Sequence, residues 1–277
     1  MHRENLERSG PMPVAVITGS SSGIGRETAL EFARNGYSVL LHAHRNVAGL
    51  QETANRIRAL PSPRDADTLE ARLRCITSDI ACPAACRSLV QAAFAWQGSV
   101  DVWVNNAGAD VLTGSSSSQP FEERLQLLLN VDVCGTIRLC RLVCQELADR
   151  SITGGSITNI GWDQASLGME GEPGQLFCTT KSAIESFSRA LAMSVAPRVR
   201  VNCVCPGWIQ TSWGVEQASD YWAQRATNES LLQRWGTPQD VACCIRWLAS
   251  SDAAFINGQS IAVNGGRRFS APPTRES

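Results

Sequence analysis

Lysine is almost missing from this chain. Among 277 residues Lys181 stands alone against 24 arginines. In so arginine-biased a composition, a basic residue kept as lysine is read as kept for its ammonium. A guanidinium is planar and permanently charged, whereas lysine carries a compact point charge with a tunable pKa. An excess of one charge is missing too. The formal net charge is -1, which leaves no basic balance to hold nucleic acid. No run of 18 apolar residues occurs, and that excludes an ordinary membrane-spanning helix. Met1 to Pro13 is polar and charged and lacks the apolar core of a secretory signal. Metal ligands are not grouped. Cys82/Cys86 and Cys140/Cys144 are spaced i, i+4, but no histidine or further cysteine completes a zinc site, so no metal is expected. The eleven cysteines are odd in number and scattered through apolar segments, as free thiols in a reducing cytoplasm would be.

What the chain does have is alternation. Val14-Ala15-Val16-Ile17 is a short continuous apolar run, as a buried parallel strand would be. Thr18-Gly19-Ser20-Ser21-Ser22-Gly23-Ile24-Gly25 follows and leads into a helical stretch through Asn35. Glycines between a strand and a helix let backbone approach a pyrophosphate, and the helix N-terminus offers free N–H groups and a positive dipole end. Strands are expected at 14–18, 38–44, 71–78, 100–106, 155–160, 199–205 and 259–264. Helices are expected at 23–35, 47–60, 83–97, 121–149, 176–196 and 238–249. Such alternation predicts one α/β domain, a Rossmann-type doubly wound parallel sheet of seven strands with helices on both faces. Residues 1–12 read as an N-terminal extension, 13–266 as the domain and 267–277 as a flexible tail. Pro61 to Thr68 reads as a polar loop.

The glycine spacing resembles the TGxxxGxG form of the short-chain dehydrogenase/reductase family. Val100-Asp101-Val102-Trp103-Val104-Asn105-Asn106-Ala107-Gly108 resembles that family's fourth strand with its NNAG motif. Val199 to Gly207, ending Cys205-Pro206-Gly207, resembles its sixth strand and PG turn, and Gly258 to Gly266 its last strand. Within the family the chain looks closest to the classical group that includes 3-oxoacyl-ACP reductases. The resemblance implies a nicotinamide cofactor held by Gly19, Ser21, Ser22, Gly23, Ile24 and Gly25, with Asn106, Ala107 and Gly108 beside them. It implies an adenine contact at Asp79 and Ile80, and nicotinamide contacts at Pro206, Gly207, Ile209 and Thr211. The second strand ends His42-Ala43-His44-Arg45 without an acid, so Arg45 is expected to pair with a 2′-phosphate and to select NADP(H) over NAD(H).

The resemblance also implies four catalytic positions: a proton-donating tyrosine, a serine, an asparagine, and a lysine four residues after the tyrosine that grips the ribose. Lys181 matches the lysine and Asn130 is matched to the asparagine. The tyrosine position is Phe177, which has no proton to give. The serine position falls on Gly161 or Trp162, or on Gln164 when counted back from Phe177. Three readings stay open. The first is an oxidoreductase with a substitute donor, Asp163 foremost, or Glu170, Glu172, Tyr221, or Lys181 through a water. The second is reduction of an activated C=C. The third is a cofactor-binding protein without turnover, such as a sensor or a subunit. Trp208, Trp213, Tyr221, Trp222 and Trp235 crowd the stretch after the PG turn. With Trp162 and Phe177 they imply an apolar, aromatic pocket for a small-molecule substrate, although tryptophans also serve subunit interfaces. Leu125, Leu129, Val133 and Ile137, and Ile184, Phe187, Leu191 and Val195, form stripes on two long helices. A homo-dimer or homo-tetramer is expected from them.

Overall fold

The computed structural model of the chain describes residues 12–61, 69–211 and 220–268. The extension at 1–11, most of the 61–68 loop and the tail from 269 lie outside them. Short apolar runs form the strands: β1 Val14–Ile17, β2 Ser38–Ala43, β3 Leu73–Thr77, β4 Val102–Asn105, β5 Gly155–Ile160, β6 Val199–Pro206 and β7 Ser260–Val263. They make one parallel sheet in the order β3-β2-β1-β4-β5-β6-β7. Strands β1, β2 and β4 are buried at every position, as strands covered on both faces must be.

The helices are α1 Gly23–Arg34, α2 Val47–Arg58, α3 Pro83–Gln97, α4 Phe121–Leu128, α5 Thr136–Asp149, α6 Gly171–Val195, α7 Asp220–Glu229 and α8 Pro238–Ala249. Ile17, Phe32, Leu41, Leu50 and Ile245 build the core under α1, α2 and α8. Val16, Leu40, Phe94, Leu139 and Val201 build the core under α3, α5 and α6. Crossovers thus leave to both faces, and the reversal of order between β1 and β4 opens a crevice beyond their carboxyl ends.

Two departures from the expected elements bear on the site. The long helix expected over 121–149 is not uniform: Leu129–Gly135 winds as a π-helix between α4 and α5. Such wider turns are rare and recur at functional sites. Helix α7 was not foreseen. It has few apolar residues at helical spacing, and its place comes from tertiary contacts described below.

The stripes expected to meet a partner are largely used within the chain. Ile184 and Val133 are buried, and Phe187, Leu191 and Val195 pack partly against the core under α3, α5 and α6.

Candidate active site

The glycine turn is built by close approach. Gly19 has φ +66°, and a Cβ there would lie 2.7 Å from the Ala107 Cα. A Cβ on Gly25 would run into the Gly19 carbonyl. Thr18 Oγ1 accepts from the backbone N–H groups of Asn106 and Ala107, each at 3.0 Å. Asn106 Nδ2 donates to the carbonyls of Thr18 and Gly19. The Asn106 side chain therefore shapes the turn and is spent on it. Ser22 precedes α1 with no side-chain capping bond, so the first-turn N–H groups of α1 stay open to an acceptor oxygen. A Cβ on Gly23 would sit 3.5 Å from Thr211, which closes the cleft from the other side. A narrow backbone cradle with free helix-terminal donors fits a pyrophosphate.

His42, not singled out from the sequence, underlies the turn. Gly19 N–H points at Nδ1 from 3.4 Å, and Nε2 lies 3.1 Å from the Ser78 carbonyl. Burial lowers its pKa to about 4, against the opposing pull of the Ser78 bond. A neutral imidazole is what can accept at one nitrogen and donate at the other.

Arg45 is exposed just past β2; its carbonyl accepts the Val47 N–H at 2.8 Å, and its guanidinium has no partner among the described residues. Asp79 is half-buried, and its Oδ1 accepts the Ala81 N–H at 2.9 Å. Ile80 follows Asp79 directly. Its side chain is buried against Gly135 and supports the π-helix, because a Cβ on Gly135 would be 3.1 Å from it.

Lys181 rises from α6 into the site, and its partner is not the expected one. Asn130 is exposed and accepts from Gln126 Nε2 at 3.0 Å, away from Lys181. Asp132, two residues on, is 2% exposed, and its Oδ2 accepts from Lys181 Nζ at 3.0 Å. Its other oxygen accepts the Ala109 N–H at 2.8 Å. Positions two apart in a helix point to different sides. Where the π-helix sets its register, Asp132 faces in and Asn130 faces out.

A cavity of about 660 Å³ opens beside this pair. Its walls include Trp162, Phe177, Trp208, Trp222, Trp235 and Met169, and Lys181 reaches it from below. Gly161 and Trp162 follow β5 directly and both line it, whereas Gln164 is 1% exposed and turned inward. Trp162 meets Phe177 edge to face, with ring centroids 6.1 Å apart. Cys178 and Ser182 tie that loop to α6 through the carbonyls of Gln164 and Ala165.

Trp208 packs tilted against Trp222 and edge-on against Trp235, and donates to Glu229 Oε2 at 2.9 Å. Arg225 bridges Glu229 and Glu170 and lies over the Trp222 ring. These contacts hold α7 over the cavity. The tryptophans named here thus serve the pocket; Trp213 lies outside the described residues.

The substitute donors separate clearly. Asp163, the foremost of them, is not in the cavity. It sits behind Gly207, where Asn264 Nδ2 donates to it at 3.0 Å, and burial raises its pKa while that bond opposes the rise. Glu172 is paired with Arg124, and Glu170 lines the cavity but is paired with Arg225. Tyr221 and Lys181 remain on the wall, with Pro206, Gly207, Ile209, Thr211 and Ile24 lining the end nearest the glycine turn. Gly108 packs against the Asp132 carboxylate.

A family described as enoyl-(acyl carrier protein) reductase matches residues 19–268. The chain belongs to the short-chain dehydrogenase/reductase family. It is 30% identical to 3beta-hydroxysteroid dehydrogenase 1 of Eggerthella lenta, over 91% of this chain and 92% of that protein. It is 29% identical to a short-chain type dehydrogenase/reductase of Picea abies, over 92% of each chain. The crystal structure of a short-chain dehydrogenase from Burkholderia cenocepacia in complex with NADP superposes with a TM-score of 0.77. That match has 27% identity and covers 92% of this chain and 97% of that one. Members of this family are oxidoreductases that bind a nicotinamide cofactor, and the glycine turn, the crevice and Lys181 lie where such a group would be held. Among the described residues no helix is long and apolar enough to cross a membrane, and no group of His, Cys, Asp or Glu could hold a metal ion.

Proposed function

We propose that this chain is an NADP(H)-dependent oxidoreductase of the cytoplasm, acting on an apolar or aromatic carbonyl or activated C=C as a homo-dimer or homo-tetramer. The observation that carries the reading is the aromatic cavity joined to the glycine turn through Lys181, Ile24 and Thr211. When bound, the nicotinamide would supply or accept a hydride.

The chain's own residues do the rest. Gly19 to Gly25 and the N-terminus of α1 hold the pyrophosphate by backbone N–H groups. Arg45, exposed and unpaired among the described residues, meets a 2′-phosphate with a charge-assisted bond. The relative solved with NADP is consistent with that choice. Lys181 donates to Asp132 and lies 3.4 Å from the Ile160 carbonyl, which leaves ammonium N–H capacity for a ligand. Trp162, Phe177, Trp208 and Trp235 give the reacting face an apolar wall.

Phe177 offers no proton, and a missing general acid typically costs about 10²–10⁴ in rate. Reduction of a C=C conjugated to a carbonyl suits such a site, because the proton ends on carbon and can come from water. Tyr221 places a phenol on the wall for a carbonyl substrate.

A second reading, a cofactor-binding protein without turnover, is favoured by one observation. The Trp162–Phe177 contact fills the place where serine and tyrosine would act with two rings that carry no acid. Following NADPH absorbance with aromatic enones, quinones and ketones separates the two. Oxidation with one of these classes supports the first reading. Tight NADPH binding with no oxidation in any class sinks it in favour of the second.

A further inference from the structure

The cavity has an unusual floor. Lys181 is the chain's one lysine, and the carboxylate against it is held from three sides. Asp132 Oδ2 accepts from Nζ at 3.0 Å, its Oδ1 accepts the Ala109 N–H at 2.8 Å, and Gly108 packs so closely that a Cβ would lie 2.9 Å from Oδ2. Asp132 is 2% exposed, so water does little to weaken the interaction. The second ionisable wall residue, Glu170, is matched by Arg225. Every other wall residue near Lys181, namely Trp162, Phe177, Ile160 and Gly161, is uncharged.

We propose that Asp132 cancels the charge of Lys181, so that the cavity selects uncharged apolar ligands and gives no purchase to a carboxylate or phosphate on the substrate. The inference rests on the reading of this cavity as the substrate site. It makes Asp132 a specificity determinant that acts through Lys181. It also has a consequence for position 177. A bare ammonium beside a phenol favours the phenolate. An ammonium already closed onto a carboxylate does so far less, so a hydroxyl restored at 177 stays an ordinary phenol while Asp132 is present. The apolar Phe177 and the acidic Asp132 then belong together: where no phenol needs acidifying, the ammonium is better neutralised than left bare against aromatic rings.

Two readouts test this, and neither depends on turnover. The first uses a near-isosteric pair, 1-acetonaphthone and 1-naphthoate, followed by quenching of the tryptophans that line the cavity. The native chain should bind the ketone more tightly than the anion. Asp132→Asn keeps the acceptor for Ala109 and removes the charge, and it should move the ratio toward naphthoate by about tenfold or more, the size of one lost charge partner. A native chain that prefers naphthoate, or a ratio that does not move in Asp132→Asn, overturns the proposal. Quenching by neither probe would sink the reading of the cavity as the substrate site, and the second readout would then decide the charge question alone.

That second readout is the phenolate absorbance of Phe177→Tyr, taken as a difference from the native chain to remove Tyr37 and Tyr221. At pH 9 the new phenol should be at most about one-tenth ionised, as for a free tyrosine. Adding Asp132→Asn should raise that fraction severalfold. A phenol mostly ionised at pH 9 in Phe177→Tyr alone would show that Lys181 still acts as a bare charge, and would overturn the proposal even if Asp132→Asn did not fold.

Discussion

At the scale of single residues, the pairing of Lys181 with Asp132 sets a stability prediction. Removing one member of a buried ion pair leaves the other charge without a partner, which costs about 3–5 kcal/mol. Lys181→Met should therefore lower the unfolding free energy by about that amount, and adding Asp132→Asn should restore most of it. Urea denaturation of the three variants checks this; full stability in Lys181→Met would mean that Asp132 is not committed to it. His42 makes a pH prediction. Its folded pKa is lowered by burial to about 4, while the unfolded chain titrates near 6.5. Above pH 6.5 neither state holds the proton. As pH falls below 6.5 the unfolded chain gains a proton that the folded chain refuses, so stability drops until about pH 4. At about 1.4 kcal/mol per unit, the loss between pH 7.5 and pH 5 should be about 2 kcal/mol. His42→Gln should lose about that much less over the same interval, and equal losses would remove His42 from the explanation. Lys181 was legible in the sequence because it stands alone in composition and four residues after Phe177. Asp132 was not. It and Asn130 lie in one helix, and which of them turns inward depends on the π-helix, which no residue type announces.

At the scale of elements, the glycine turn and α7 make opposite cases. The turn could be read from its spacing because glycine is needed there for a stated reason. A side chain at Gly19 meets Ala107 and the backbone sits at φ +66°. Gly19→Ala is expected to cost about 1–3 kcal/mol in backbone strain and to abolish NADPH binding. A variant that keeps both its melting temperature and its NADPH affinity would contradict the close approach. Helix α7 left little trace in the sequence, because it is held from outside. Trp208 and Trp235 pack under it, and Arg225 joins Glu170 to Glu229 across it. Arg225→Ala should loosen α7 and weaken aromatic ligands severalfold while leaving NADPH affinity nearly unchanged, since Arg225 meets Glu170, Glu229 and the Trp222 ring and not the glycine turn. Calorimetric titration of both ligands reads the difference, and equal weakening of the two would place Arg225 elsewhere in the mechanism. Asp163 shows the limit of reading from spacing alone. It lies one residue past Trp162, yet its side chain turns behind Gly207 to Asn264.

At the scale of the whole molecule, the parallel sheet followed from strand and helix alternation, and its order places the crevice where β1 and β4 diverge. Of the two helix stripes, Val133 and Ile184 are taken up by the chain's own core, while Phe187, Leu191 and Val195 keep partial exposure. Among the described residues the outer edge of β7, the fully exposed ring of Phe255 and the exposed Met193 of α6 are also uncovered. An open strand edge pairs readily with another, so light scattering at micromolar concentration should give a dimer or tetramer, and a monomer would contradict the proposed assembly. Every functional statement about this chain rests first on the crevice taking a phosphorylated nicotinamide cofactor. The measurement that tests this most directly is a pair of equilibrium titrations of the native chain with NADPH and with NADH, read by tryptophan fluorescence. NADPH should bind more tightly, and Arg45→Asp should reverse the order through a change of about 1.5–3 kcal/mol, the worth of a charge-assisted hydrogen bond. Equal affinities for the two cofactors in the native chain, or no binding of either, would contradict it.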